Sequence, residues 1–165
     1  LDLSHIGTII AAIFGGPLAG VIAGAIVGLL PGIWFGYIAG AAGAVALVSL
    51  PIGKALTGLT IGLLCKRLGV LERNHRSLLV TAIVLLGYIP EMIFTIFYFV
   101  VLLPFFFGIP LNMAIAISIV VIAKAWVEMA IIATFAGALV GNMGFLEFIE
   151  KHFYMRLHGA PTSKI

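Results

Sequence analysis

Long runs of apolar residues, interrupted by glycine–proline pairs and by one basic segment, dominate the chain. A helix that crosses a bilayer needs about 20 consecutive, mostly apolar residues. Two runs in the second half, Ser77–Phe107 and Leu111–Val140, exceed that length and are separated only by a short Gly/Pro-containing segment. They predict two antiparallel membrane-spanning helices joined by a tight loop.

The apolar runs in the first half of the chain are shorter. They are Leu3–Phe14, Leu18–Leu30, Ile33–Leu50 and Ile52–Leu68, with breaks at Gly15-Gly16-Pro17, at Pro31-Gly32 and at Pro51. The first two are too short for a full crossing and fit short, tilted or re-entrant helices enclosed by the others. Ile33–Leu50 fits either a membrane-entering loop or a helix of its own. Pro51 favours the start of a new helix, because proline is accepted in a first helical turn.

Composition places the chain among integral membrane proteins. Hydrophobic residues make up 63% and charged residues 9% of the 165 residues, and the mean hydropathy is +1.28. Too few charges are present to cover the surface of a soluble domain, in which about a quarter of the residues are charged. We therefore predict one all-α domain over residues 1–165, a polytopic bundle of about six transmembrane helices.

Loop charge predicts the orientation of this bundle. The basic residues cluster in one short loop and in the tail, as Lys66, Arg67, Arg73, Arg76, Lys151, Arg156 and Lys164. The segment Pro104–Pro110 carries no charge, so the positive-inside rule places it outside and the basic loop in the cytoplasm. We expect a multi-pass protein of the cell membrane with a cytoplasmic C-terminus. The tail Phe145–Leu157 reads as an amphipathic segment at the interface.

Three ionisable residues stand inside the long apolar runs, namely Glu91, Lys124 and Glu128. At about 1.5 Å per residue, Glu91 and Lys124 lie roughly 18 Å below the loop that joins their helices. Their matched depth and opposite signs predict an ion pair between the two helices. Glu128 follows Lys124 by one turn on the same face and offers it a second partner.

Two interpretations of this triad stay open. Charges at membrane depth cost several kcal/mol, so they mark either a ligand or ion pathway or a neutralised structural cluster. Two acids and one base leave a surplus negative charge, which points to a proton, a cation or a cationic ligand group. The single Cys65 excludes an internal disulfide and a multi-cysteine zinc site. We expect no enzyme activity and no cofactor, because hydrolase and phosphate-binding motifs are missing, and we expect no nucleic-acid partner.

Other polar and aromatic residues are weaker candidates for a binding site. Trp34 and Tyr37 fit lid residues that stack on a flat ligand, or anchors at the membrane interface. His5 fits the lining of a polar mouth or a solvated helix start. Lys54, near the start of its predicted helix, fits a lysine whose ammonium extends to the interface.

The first part of the chain resembles a known transporter family. The relevant stretches are Leu1-Asp2-Leu3-Ser4-His5-Ile6-Gly7, Phe14-Gly15-Gly16-Pro17-Leu18-Ala19-Gly20 and the Gly-rich helix Gly53–Leu64. They resemble substrate-binding S components of energy-coupling factor (ECF) vitamin transporters, over roughly residues 1–70 and in size and layout beyond. Aligned this way, the first helix of the family would precede Leu1, so its docking surface is not transferred to this chain.

The resemblance implies a six-helix bundle that binds a vitamin-like small molecule near its outer face. It also implies partners, a membrane coupling subunit and two cytoplasmic ATPase subunits. Ile33–Leu50 would be an outer, partly inserted loop, and the site would include Glu91, Lys124 and Glu128. The alternative function is an ion- or proton-handling structural subunit of a larger membrane complex, in which these residues relay charge.

Overall fold

The computed structural model describes residues 3–40, 43–149 and 151–152, and the regular elements within them are all helical. They are α1 (His5–Ile33), α2 (Gly43–Leu68), α3 (Arg76–Gly87), α4 (Ile89–Phe97), α5 (Leu103–Phe107), α6 (Leu111–Gly141) and α7 (Met143–Ile149), with π-helical turns at Trp34–Ile38 and Tyr98–Leu102 and a 3₁₀ turn at Val70–Glu72. The all-α class is confirmed, and the helices indicate a membrane protein. Four helical stretches in the described ranges are long and apolar enough to cross a membrane, where about six helices were predicted.

The two long crossings predicted in the second half are confirmed to within one residue. One runs over Arg76–Phe107 and comprises α3, α4 and α5, which we call the third crossing. The other is α6. Their lengths follow from the sequence, since each is an apolar run bounded by the basic loop or by the turn at Gly108.

The helix α1 reverses direction at Gly16. This residue has φ 78° and ψ −172°, a conformation open essentially only to glycine. A Cβ built on Gly20 would lie 2.8 Å from the Cβ of Ala12, whereas eight residues of straight helix span about 12 Å. Residues 5–15 therefore form a short limb folded against residues 17–33. The break at Gly15-Gly16-Pro17 was predicted, and the short limb matches the re-entrant interpretation.

The predicted boundaries between residues 30 and 52 are wrong. Pro31 lies inside α1, which continues through Gly32 into the turn Trp34–Ile38. Pro51 lies inside α2, eight residues after its start, instead of opening a helix. Ile33–Leu50 is thus neither a loop nor one helix, because it holds the end of one crossing, a turn and the start of the next. Membrane helices accept internal proline where neighbouring helices compensate.

Glycine sets the distance between α1 and α2. Gly20, Gly24 and Gly28 recur every four residues on α1 and face the backbone of α2. A Cβ on Gly28 would lie 2.5 Å from the Cα of Pro51, and one on Gly20 would meet the carbonyl of Gly58. As numbers rise along α1 they fall along α2, so the two helices are antiparallel. Such backbone approach is the usual way in which membrane helices gain packing energy.

The short limb of α1 is packed inside the bundle. Ile9 and Ala12 are fully buried among side chains of α2, the third crossing and α6. Ile61, Val84 and Ile132 belong to the same core cluster. The limb starts in the interior of the bundle at His5 and runs to Gly16, which lies beside Gly62.

The bundle has two chemically different ends. The basic end contains the loop from Lys66 to Arg76 and the C-terminal end of α6, because α6 runs antiparallel to the third crossing. The uncharged end contains the turn after Ile38 and the turn at Gly108. Of the predicted tail, α7 is described, whereas Glu150, Arg156 and Lys164, like Asp2 and the C-terminus, lie outside the described residues.

Candidate functional site

A cavity of about 460 Å³ lies between the α1–α2 pair, the third crossing and α6. Its polar and charged lining residues include His5, Ser49, Lys54, Tyr88, Glu91, Thr95, Lys124 and Glu128. Its aromatic and aliphatic walls include Phe35, Leu50, Phe94, Tyr98, Phe99, Leu103, Ile109, Ile117 and Val121. From Glu91 to Leu103 the third crossing rises by about 18 Å. The cavity therefore extends from a polar floor in the middle of the bundle toward the uncharged end.

Glu91 forms the centre of the polar floor. Its Oε1 lies 3.4 Å from Nε2 of His5, and its Oε2 accepts a hydrogen bond from the Thr57 hydroxyl. The Lys54 ammonium adds a further favourable electrostatic interaction. Pro90 places Glu91 in the first turn of α4, immediately after the break between α3 and α4. A helix start supplies unpaired backbone N–H groups and favours a carboxylate there.

His5 and Lys54 are buried, which corrects two sequence interpretations. His5 is 7% exposed and stands at the inner end of the short limb, so it is not a solvated helix start. Lys54 is 5% exposed and donates a 2.7 Å hydrogen bond to the Ser4 hydroxyl. It does not extend to the interface, because α2 begins at Gly43 and places Lys54 about three turns inside the helix.

Lys124 and Glu128 occupy neighbouring turns of α6 on the cavity side. The Lys124 ammonium lies 3.7 Å from Oε1 of Glu128, an i,i+4 pair. The expected ion pair between Lys124 and Glu91 is not among those that the structure gives for the described ranges. Glu91 instead faces His5 and Thr57, because the short limb of α1 brings His5 to that depth.

The aromatic residues proposed as a lid do not line the cavity. Trp34 and Tyr37 are 56% and 59% exposed at the uncharged end, in the positions of interfacial anchors. Phe35, between them in sequence, faces the cavity, as do Phe94, Tyr98 and Phe99. The angular position of each aromatic residue around its helix determines whether its ring faces the cavity or the outer surface.

Tyr88 links two other rings next to the polar floor. The ring of Tyr88 meets His5 edge to face at 6.5 Å and Trp126 at 5.5 Å. The indole N–H of Trp126 points to Sδ of Met92 at 3.2 Å. These contacts hold the short limb, α6 and the third crossing in one arrangement, since edge-to-face pairs favour a defined geometry. Tyr88 and Thr57 were not singled out in the sequence, where neither stands out from its apolar neighbours.

The charges around the cavity balance. The lining acids Glu91 and Glu128 are matched by Lys54 and Lys124, with His5 as a further basic group. The predicted acid surplus is therefore wrong, because it omitted Lys54. Four of these five groups are buried or nearly so, Lys124 being the exposed one, and buried charges require such balance.

This arrangement can bind and orient a small molecule in an apolar enclosure with a charged floor. Within the residues that the structure describes, no group of three or more His, Cys, Asp or Glu side chains could hold a metal ion. Comparisons with protein-family models, with curated proteins and with solved structures gave no match for this chain.

Proposed function

We propose that this chain is the substrate-capturing subunit of an ECF-type importer, which binds one vitamin-like small molecule without catalysing a reaction. The observation that carries the proposal is the cavity itself. A site of about 460 Å³ with aromatic walls and a few charged groups at one end has the size and lining of small-molecule pockets. We expect submicromolar affinity, which corresponds to roughly 8 kcal/mol or more of binding free energy.

The distribution of charge supports an opening toward the outside. Lys66, Arg67, Arg73 and Arg76 lie at the basic end, which the positive-inside rule assigns to the cytoplasm. The cavity extends toward the opposite, uncharged end. On this proposal the protein is in the cell membrane, its C-terminus is cytoplasmic, and the cavity receives its ligand from outside.

Import by a binding subunit requires partners that supply energy. The resemblance of roughly the first 70 residues to ECF S components supports a membrane coupling subunit and two cytoplasmic ATPases in that role. The exposed apolar surface of the crossings, including Leu18, Leu30 and Leu78, is available to lipid and to a membrane partner. Capture would then be this chain's own task.

A cavity-filling variant tests the capture of a small molecule. Thr95 lines the cavity, so Thr95→Trp would occupy space that a ligand needs. Phe97 is 46% exposed on the outer surface of the same crossing, and Phe97→Trp is the matched control. Small molecules released by denaturing each purified protein would be identified and quantified by mass spectrometry. The proposal expects one stoichiometric metabolite in wild type and Phe97→Trp and its loss in Thr95→Trp. Equal metabolite content in all three would contradict it.

A second candidate, proton handling within a larger complex, has one specific observation in its favour. His5 Nδ1 and Thr8 Oγ1 are buried and have no hydrogen-bond partner in the part of the chain described. They lie one turn apart on the short limb, and the other nitrogen of the same imidazole, Nε2, faces Glu91, so protons could pass along these groups. Proton flux measured in liposomes tests it: flux that disappears in Glu91→Gln supports proton handling, and wild-type liposomes no leakier than protein-free liposomes contradict it.

A further inference from the structure

We infer that the molecule bound in this cavity is a small organic carboxylate whose charged end meets Lys124 and whose apolar body lies along the aromatic walls. The inference rests on the proposed capture function and specifies its substrate class. The ligand inferred here is an anion, whereas the sequence alone had suggested a positively charged one.

The side chains around the cavity differ in what they present to a ligand. The Lys124 side chain is 66% exposed, whereas the Glu91 and Glu128 side chains are 12% and 11% exposed. Lys124 also lines the cavity. Of these three charged groups, the ammonium is therefore the most accessible to a bound molecule.

The Glu91 carboxylate is engaged by the protein. One of its oxygens faces His5 and the other accepts from Thr57. Oε1 of Glu128 is 3.7 Å from the Lys124 ammonium, an ion-pair distance that is longer than a hydrogen bond. No hydrogen bond of Lys124 is found in the described ranges, so its ammonium can donate to an oxygen of a ligand.

The Lys124 ammonium is exposed although it lies deep in the bundle. Lys124 is 13 residues from the start of α6 at the uncharged end, which corresponds to about 20 Å along the helix. An ammonium in contact with hydrocarbon at that depth would be strongly disfavoured. A ligand carboxylate could form a shorter, charge-assisted hydrogen bond with the Lys124 ammonium than Glu128 does at 3.7 Å.

The wall above Lys124 defines the rest of the ligand. Val121 and Ile117 stand about one and two turns nearer the uncharged end, on the same side of α6. Phe35 and Phe99 contribute aromatic surface to the same cavity. A molecule with one anionic end and an aromatic or aliphatic body matches this division into a charged floor and apolar walls.

Lys124 variants in nanodiscs test the inference. Molecules released from wild type, Lys124→Met, Lys124→Arg and the basic-end control Lys66→Met would be identified by mass spectrometry. The expected molecule is a carboxylate present at one per chain in wild type and in Lys66→Met. Its occupancy should fall about tenfold or more in Lys124→Met and be largely retained in Lys124→Arg, since a desolvated charge pair is lost in the first and kept in the second.

The outcomes separate this inference from the function on which it rests. A stoichiometric neutral or cationic metabolite in wild type would overturn the carboxylate inference and leave capture intact. A carboxylate retained equally in Lys124→Met would also overturn it. Wild-type protein that releases no metabolite from any growth medium, and is not stabilised thermally by any of a panel of vitamins, would overturn the capture function and the inference together.

Discussion

Nε2 of His5 lies 3.4 Å from Oε1 of Glu91, and this contact joins the first residue of α1 to the middle of the third crossing. The two residues are 86 positions apart in the chain. The reversal at Gly16 makes the contact possible, because it returns the short limb to the depth of Lys54 and Glu91. The geometry of the site therefore depends on the fold of α1 as much as on the charged residues.

Energetic coupling between His5 and Glu91 is the first expectation. His5→Ala and Glu91→Gln should each destabilise the protein, since each leaves a buried polar partner behind. The double variant should be less destabilised than the sum of the two, by about 1 kcal/mol. Equilibrium unfolding in mixed detergent and SDS micelles measures this cycle. Additivity within about 0.5 kcal/mol would show that the contact contributes no coupling.

Substitution of a glycine between α1 and α2 should be costly. A methyl group at Gly20 would collide with the backbone of Gly58, which cannot rotate away. Gly20→Ala should lower the free energy of unfolding by about 1–3 kcal/mol through overpacking. Gly7→Ala is the control, because a Cβ there meets nothing within 4 Å. It should be neutral or stabilise by up to about 1 kcal/mol, as alanine favours a helix. Equal effects of both changes on unfolding would contradict the packing described.

Substitution of Gly16 should also be costly, because of its backbone conformation and not because of crowding. A Cβ on Gly16 meets no atom within 4 Å, so space is available, but its φ of 78° is strained for any L-residue. Gly16→Ala should cost about 1–3 kcal/mol and loosen the short limb. Hydrogen exchange in residues 5–15 reports that loosening. Exchange in that segment unchanged from wild type would show that the reversal does not need glycine.

Much of this fold was readable from the apolar pattern, and the exceptions have physical causes. The third crossing and α6 were found because their apolar runs end at charges or at a Gly–Pro turn. Pro31 and Pro51 misled the prediction, since both are helix breakers in water but lie within helices here. The apolar pattern predicted a break near Gly16 but could not show that the chain reverses direction there.

Some of the residues that line the cavity were predicted from the sequence, and others were not. Glu91, Lys124 and Glu128 stood out as charges in apolar runs, and all three line the cavity. Lys54 was discounted because its helix had been started at residue 51 or 52 instead of at Gly43. Trp34 and Tyr37 were favoured over Phe35 because side-chain direction depends on helical phase, which composition does not show.

Orientation can be measured directly with single cysteines. In a Cys65→Ala background, Asn74→Cys lies at the basic end and Phe107→Cys at the uncharged end. A membrane-impermeant maleimide applied to intact bacterial cells should label Phe107→Cys and leave Asn74→Cys unlabelled until the cells are opened. The reverse pattern would place the cavity mouth toward the cytoplasm and contradict import from outside.

On the proposed function, the cavity holds one small molecule per chain. Native mass spectrometry of the intact protein, released from nanodiscs with minimal activation, measures this occupancy. We expect a dominant species heavier than the bare chain by the mass of one metabolite, which activation removes in a single step. The same species should be missing from Thr95→Trp and present in Phe97→Trp. A wild-type spectrum with only the bare chain and lipid adducts, across several growth media, would contradict the claim.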